Sequence, residues 1–509
     1  MIRLIGGEMP DFTEVRPAAG GALYRYVTGL VPAGSRVLVA GPHDGALIGA
    51  LAGTTTVTCL IRSELAAAEL SRHGATVLCG TLAKLTDAAT YDVVIALDGT
   101  GRLCSVEGPQ LEWAEAVRAL TRVLRPGGTL LLAVENQLGV HHLVETGTPT
   151  GAEQDDEWGP LGEFDSTPGH PDRLALALTA EGLSVSGLAG AWPSLEQPSL
   201  VIAREVLQDG PVPALAAITA RTVATAYEKK PVLSDPRRLA SAAVRRGLGT
   251  ELAPAWLVVA ERLPREGGGL RLPSVLISPG HDTGHEAVLE IAEEPGGGWG
   301  RRVLRAADGV DPAVWNGPLP TGRLLEELLL DACLRHDLPR LRRLLSGWAT
   351  ALPGVTADNV LVEGDRYARL DPTAPDRPDA LARFVAVLLG GGYAHPWPTV
   401  TDPARITGIL ASAAGIGSAR LPAPDLIPAA HARREQEELV RTLQRQLAGA
   451  EERNRWYERE IRRREVELGK ARVQIETFSG SLSYRLSRLA IRAVRKIRKT
   501  LSKIRKGQS

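Results

Sequence analysis

Cysteine is scarce in this chain, at 4 residues in 509, and none of Cys59, Cys79, Cys104 and Cys333 stands in a CxxC spacing. That argues against a disulfide framework or a paired-thiol metal site and predicts buried, reduced thiols, since they lie mostly in apolar runs. No basic segment followed by an apolar run opens the chain, and no stretch of about 18 uninterrupted apolar residues occurs in it. The expectation is a cytoplasmic protein that does not span a membrane. HExxH, GxSxG and clustered carboxylates are also missing, which disfavours metal-dependent and nucleophilic hydrolysis, so no metal site is expected. His43, His141 and His142 are read as exposed loop or helix residues, because adjacent histidines on a regular element do not both face one site.

Net charge is lacking too, with 59 Lys and Arg against 59 Asp and Glu, but the balance is uneven along the chain. Residues 479–509 hold 10 basic residues and no acid, so residues 1–478 carry 49 basic against 59 acidic residues, a net −10. The basic end is therefore the candidate for an anionic partner. Hydrophobic residues make up 44% of the chain, enough for more than one core. At ~150 residues per domain there is room for two or three.

Between Ser35 and Arg204, short Val-, Ile- and Leu-rich runs alternate with helix-length amphipathic stretches. The runs are Arg36–Ala40, Thr56–Ile61, Ala75–Cys79, Tyr91–Leu97 and Gly128–Val134. This predicts a parallel sheet wrapped by helices, an α/β domain, with Leu183–Ser186 and Ser199–Arg204 as a closing antiparallel pair. Residues 207–430 read as a second, mixed α/β domain, with strands near 256–260, 287–291 and 302–305. A long helix pattern follows over 323–348, interrupted near Pro339.

From 431 to 478 the texture is helical. With a at Val440, Leu447, Asn454, Ile461, Leu468 and Ile475, the d positions are Leu443, Ala450, Tyr457, Arg464, Ala471 and Phe478. All but Asn454 and Arg464 are apolar, which predicts a parallel coiled coil and self-association, with Asn454 fixing the register. Over 479–509, Leu482, Leu486, Leu489, Ala493, Ile497, Leu501 and Ile504 form one apolar stripe among the basic residues. Such a helix fits an anionic membrane surface, each cation adding about 1 kcal/mol. Nucleic acid is not expected as a partner, because a phosphate binder gains nothing from the stripe.

The turn Val37-Leu-Val-Ala-Gly-Pro-His-Asp-Gly-Ala-Leu47, the run Tyr91-Asp-Val-Val-Ile-Ala-Leu-Asp-Gly99 and Leu124-Arg-Pro-Gly-Gly-Thr-Leu130 follow one another in an informative order. Together they resemble the class I S-adenosylmethionine-dependent methyltransferases, a Rossmann-like fold, over about residues 20–205. Glu135-Asn-Gln-Leu-Gly139 looks like methyltransferases of surface-polysaccharide clusters. The resemblance implies S-adenosylmethionine as cofactor, with Gly41, Asp44 and Gly45 flanking its methionine part. Ile61 falls at the ribose position, where the family usually carries an acid, and Thr81 on the adenine side. Asp98 and Glu135 would orient or deprotonate a sugar hydroxyl.

Ala357-Asp-Asn-Val-Leu-Val-Glu-Gly-Asp-Arg-Tyr-Ala-Arg-Leu-Asp-Pro-Thr373 resembles the catalytic stretch of aminoglycoside-phosphotransferase-like kinases, with Asn359 and Asp371 at the magnesium positions. Gly354 stands where the base would be, and no lysine occurs between Pro231 and Leu468. A pseudokinase-like domain is expected. The whole, with Phe478-Ser-Gly-Ser-Leu-Ser-Tyr-Arg-Leu-Ser487 after the coil, resembles bifunctional methyltransferase-kinases that terminate O-antigen chains. Two functions follow as expectations. One is an O-methyltransferase-like protein of surface-polysaccharide synthesis at the inner membrane face. The other is an inactive scaffold that spaces or recruits glycosyltransferases.

Overall fold

The computed structural model describes residues 1–505 apart from 15, 107, 146–165, 228–229, 231, 264–268, 280–286, 308–310, 401, 417–432 and 481. Met1–Arg434 form one compact unit and Glu435–Ser509 another. The boundary expected at 430/431 and the side chains of Phe478 and Lys506 lie outside the described residues.

One sheet dominates the first unit. Its strands are β1 (Ile2–Gly6), β2 (Arg36–Ala40), β3 (Thr56–Ile61), β4 (Thr76–Gly80), β5 (Tyr91–Ala96), β6 (Leu124–Glu135), β7 (Leu183–Trp192), β8 (Leu200–Ala203), β9 (Ala255–Arg262), β10 (Val275–Ile277), β11 (Ala287–Glu293), β12 (Trp299–Ala306) and β13 (Gly317–Pro318). Across the sheet the order is β1-β4-β3-β2-β5-β6-β9-β7-β8-β10-β11-β12-β13. From β1 to β6 all pairings are parallel; beyond β6 they are antiparallel. The stretch β4-β3-β2-β5-β6 is the doubly wound arrangement, whose order reverses between β2 and β5.

The expected strands form, yet the sheet is closed differently. β7 and β8 do pair antiparallel, but β9 from the expected second domain lies between β6 and β7, with Leu130 opposite Ala260 and Gly190 opposite Trp256. The run Ala-Trp-Leu-Val-Val-Ala is buried throughout. Leu257 and Val259 join the core holding Val39 and Ile95, whereas Trp256 and Val258 join that of Leu130 and Leu132. A strand apolar on both faces belongs inside a sheet. The boundary expected at 206/207 is therefore crossed by main-chain pairing, and β10–β13 extend the same sheet instead of starting another.

A small second sheet, β14 (Arg323–Leu324), β15 (Val360–Glu363) and β16 (Arg366–Arg369), packs with helices Leu325–Leu334, Leu338–Ala351, Ala380–Gly390 and Pro403–Ala414 around a separate core. The break expected near Pro339 falls at His336, which takes φ 56°. The Pro-Gly-Gly stretch expected as a turn before the strand instead lies inside β6, where Gly127 takes φ 78° and a Cβ on Gly128 would stand 3.0 Å from the carbonyl oxygen of Asp92. The helices Val212–Tyr227 and Pro236–Arg245 were not expected.

In the second unit, Arg433–Gly480 is a single helix, followed by helix Leu482–Arg505. Val440, Leu443, Leu447, Ile461, Leu468 and Ile475 are all more than half exposed. No helix among the described residues is long and apolar enough to cross a membrane.

Candidate functional site

In a doubly wound sheet the ligand crevice lies beyond the carboxyl ends of the strands at the reversal, here between β2 and β5. Gly41 and Asp98 meet there. Gly41 has φ 91°, and a Cβ on it would stand 3.4 Å from Asp98 Oδ2. Asp98 itself is sealed: Arg102 donates Nε–H to Oδ2 at 2.8 Å and Nη2–H to Oδ1. Burial pushes the Asp98 carboxyl up, to about 7, against the opposing pull of Arg102. Arg102 also donates to the carbonyls of Arg16 and Pro17, at 2.8 and 2.7 Å.

The other expected cofactor residues serve the fold. Asp44 caps helix Gly45–Ala52, accepting from Leu47 N at 2.6 Å, and its second oxygen takes Gly21 N at 3.2 Å. Gly45 faces His73, since a Cβ there would lie 2.4 Å from Nε2. Ile61 is 2% exposed and belongs to the core with Val39 and Cys59. Thr81 lies beneath Gly7, where a Cβ would approach its methyl to 2.7 Å, and its buried Oγ1 has no partner among the described residues. His43 is buried rather than exposed. Its Nδ1 bonds the Gly41 carbonyl at 2.9 Å and its Nε2 accepts from Leu97 N at 3.2 Å, which fixes the tautomer. Burial drives its pKa down to about 4.

Arg62, the residue after β3, went unnoticed in the sequence. It is 2% exposed and grips Glu14 through two 2.8 Å bonds, from Nε to Oε1 and from Nη2 to Oε2. Nη1 donates to the Cys104 carbonyl at 2.9 Å, and the guanidinium stands 5.1 Å from the Phe12 ring centroid. Its only sequence signal is a charged residue directly after an apolar run.

Residues 7–14 and 16–20, Glu14 among them, cross the carboxyl ends of the central strands. Ser105 Oγ bonds the Gly7 carbonyl, Met9 N the Arg62 carbonyl, and Ser63 Oγ the Phe12 carbonyl, at 2.7, 2.8 and 2.6 Å. Ala19 N donates to the Pro42 carbonyl at 3.0 Å, and Asp44 N to the Ala19 carbonyl at 2.9 Å. The chain's own N-terminal segment thus supplies hydrogen-bond partners to Arg62, Ser63, Arg102 and Ser105 at the crevice.

Glu135 ends β6, and its side chain is 22% exposed. His141 and His142 both turn toward it, each with Nε2 3.5 Å from Oε1. The expectation that adjacent histidines diverge fails: the turn Asn136–Gly139, closed by a 2.8 Å bond from Gly139 N to the Asn136 carbonyl, leads into a helix of only five residues, Val140–Val144, that brings both rings to Glu135. Burial raises the Glu135 pKa, but His141, His142 and Arg16 beside it more than offset this and hold it well below the usual carboxylate range.

At the hairpin of β15 and β16, the Asn359 amide donates to the Asp371 carbonyl at 2.9 Å and accepts from Asp371 N at 2.7 Å. The Asp371 carboxylate is taken by Arg221 at 3.3 Å and by Thr373 N and Oγ1 at 2.9 and 2.8 Å. Arg221 also bridges to Asp358 at 3.1 Å. Arg221 thus places its positive charge between the two carboxylates of the hairpin.

No protein-family model matches the chain, and no curated protein does. Solved structures similar to it include an S-adenosylmethionine-dependent methyltransferase of Geobacter sulfurreducens in complex with S-adenosyl-L-homocysteine. It is 14% identical, over 50% of this chain and 94% of that one, at a TM-score of 0.26. A Mesorhizobium loti methyltransferase is 16% identical over 48% and 99%, at 0.26. The cyclase SpnF is 16% identical over 48% and 80%, at 0.25. Likeness at this level bears on neither substrate nor cofactor.

S-adenosylmethionine would need hydrogen-bond acceptors for its ribose and room beside Gly41. The residues present do not fit it: Ile61 is in the core, Arg62 and Glu14 neutralise each other at the end of β3, and Asp98 is held by Arg102.

Proposed function

We propose that the chain is a non-catalytic scaffold of bacterial surface-polysaccharide assembly, a methyltransferase-like body combined with a coiled coil and a membrane-surface helix. The observation that carries this reading is the buried Arg62–Glu14 pair, with Arg102 on Asp98, lying where a cofactor would be held. The filled Asn359–Asp371 hairpin adds support, because it leaves the kinase-like positions without a free carboxylate for magnesium. The polysaccharide context rests on Glu135-Asn-Gln-Leu-Gly139 and the Ser-Tyr-Arg-Leu segment after the coil. In this reading residues 431–478 pair with a second copy, and 479–509 lie on an anionic membrane. The assembly would then hold glycosyltransferases at the inner face.

The apposition of Gly41 and Asp98 at the strand-order reversal favours a second reading, an O-methyltransferase acting on a sugar hydroxyl. Calorimetric titration of the full chain with S-adenosylmethionine and S-adenosylhomocysteine separates the two. The scaffold predicts no binding at millimolar ligand. Micromolar binding lost in Asp98→Asn would establish the methyltransferase instead.

A further inference from the structure

Beside the crevice, at the end of β6, a carboxylate and two imidazoles converge that neither the parallel-sheet fold nor the scaffold reading requires. The ligand atoms of Glu135, His141 and His142 all lie within 4.8 Å of one another. From Glu135 Oε1 to each Nε2 the separation is 3.5 Å. Around a zinc ion with bonds of about 2.0–2.1 Å, tetrahedral ligands stand about 3.3 Å apart, so these edges need only tenths of an ångström of adjustment. For hydrogen bonds the same contacts are at the outer limit.

The surroundings point the same way. His142 Nε2, one of the two ring nitrogens turned to Glu135, is buried with no hydrogen-bond partner among the described residues, and a buried polar atom left unpaired calls for an unseen partner. The imidazoles lie with centroids 3.9 Å apart and planes tilted by 38°, brought together by the turn that precedes them. That turn is held firmly: the Asn136 amide donates to the carbonyls of Glu251 and Ala253 at 2.7 and 2.8 Å, and its oxygen accepts from Leu138 N at 3.0 Å. A Cβ at Gly139 would come within 2.7 Å of the His141 ring, so only glycine leaves that ring its place.

Arg16 is the competing cation. Its contacts to Glu135 are 3.3 Å from Nη1 to Oε2, and 3.4 Å from Nη2 to each oxygen, whereas its bond to Glu196 is 2.6 Å. Charge-assisted bonds normally measure about 2.7–2.9 Å, so Arg16 is anchored on Glu196 and holds Glu135 loosely, chiefly through Oε2. Oε1 is left facing the histidines.

We propose that Glu135, His141 and His142 form a site for a divalent transition metal, zinc first among them, with a fourth position open to water or an oxygen ligand. The site is independent of the crevice: Arg62, Glu14 and Asp98 are not its ligands, so failure of one reading leaves the other standing.

The test uses the full chain, stripped with chelator and titrated with Zn²⁺ and with Co²⁺. One equivalent should bind, Co²⁺ should give the visible ligand-field bands of a four- or five-coordinate site, and His141→Gln and His142→Gln should each weaken Zn²⁺ binding at least tenfold. Absence of a saturable site, or affinity unchanged in both variants, would overturn the proposal. If the variants fail to fold, mass spectrometry of the unmodified chain serves, with Zn²⁺ expected to protect His141 and His142 from diethyl pyrocarbonate. Equal modification with and without Zn²⁺ would overturn it too.

Discussion

Arg62 is held away from water, and Glu14 supplies the carboxylate that faces its charge. Truncating the partner, Glu14→Ala, leaves a buried cation and should cost about 3–5 kcal/mol, whereas Glu14→Leu with Arg62→Met should recover most of that loss. Urea unfolding of the two variants checks both. His43 gives a pH signature. Its folded pKa, about 4, lies below the ordinary value of 6.5, so above pH 6.5 it contributes no pH dependence. As pH falls from 6.5 toward 4 the unfolded chain takes up the proton first, and stability should drop by up to about 3 kcal/mol. His43→Gln should flatten that part of the stability profile. At this scale the sequence located the strand end but not which residue enters the crevice. Ile61 and Arg62 are neighbours, successive side chains point to opposite faces, and the resemblance alone placed Ile61 on the ligand side.

β9 shows why element existence and element placement are different problems. Its apolar run marks it as a strand, and its burial on both faces marks it as internal, but neither property names its neighbours. The pairing with β6 and β7 carries a direct consequence. A fragment ending at residue 206 lacks β9 and exposes facing edges on β6 and β7, which are templates for aggregation. It should be recovered as insoluble or molten material, whereas residues 1–434 should give a cooperative thermal transition. Size-exclusion chromatography and circular dichroism of the two fragments decide this. The segment over the crevice was illegible for a related reason, since residues 7–14 and 16–20 hold almost no regular structure and declare themselves only through bonds to distant residues.

At the scale of the whole molecule, charge and periodicity set the expectations for residues 435–509. If the heptad seam is covered by a second copy, sedimentation equilibrium of the full chain should give a dimer, and removal of residues 435–509 a monomer. If helix Leu482–Arg505 lies on anionic lipid, the full chain should co-sediment with phosphatidylglycerol vesicles and detach as salt is raised. A chain ending at 478 should lose that binding while keeping its oligomeric state. Binding that survives the truncation would move the membrane contact elsewhere.

The sequence by itself determined the properties that depend on near neighbours along the chain. These are the alternation that makes strands β2 to β6, the heptads of Arg433–Gly480, and the concentration of charge in the last helix. Tertiary structure alone decided that β9 enters the sheet between β6 and β7, that Glu14 meets Arg62, that Arg221 takes Asp371, and that Glu135 faces two histidines. Local pattern fixes which face of an element must be buried. Which distant segment buries it is settled only when the unpaired edges and charges of the assembled fold find their partners.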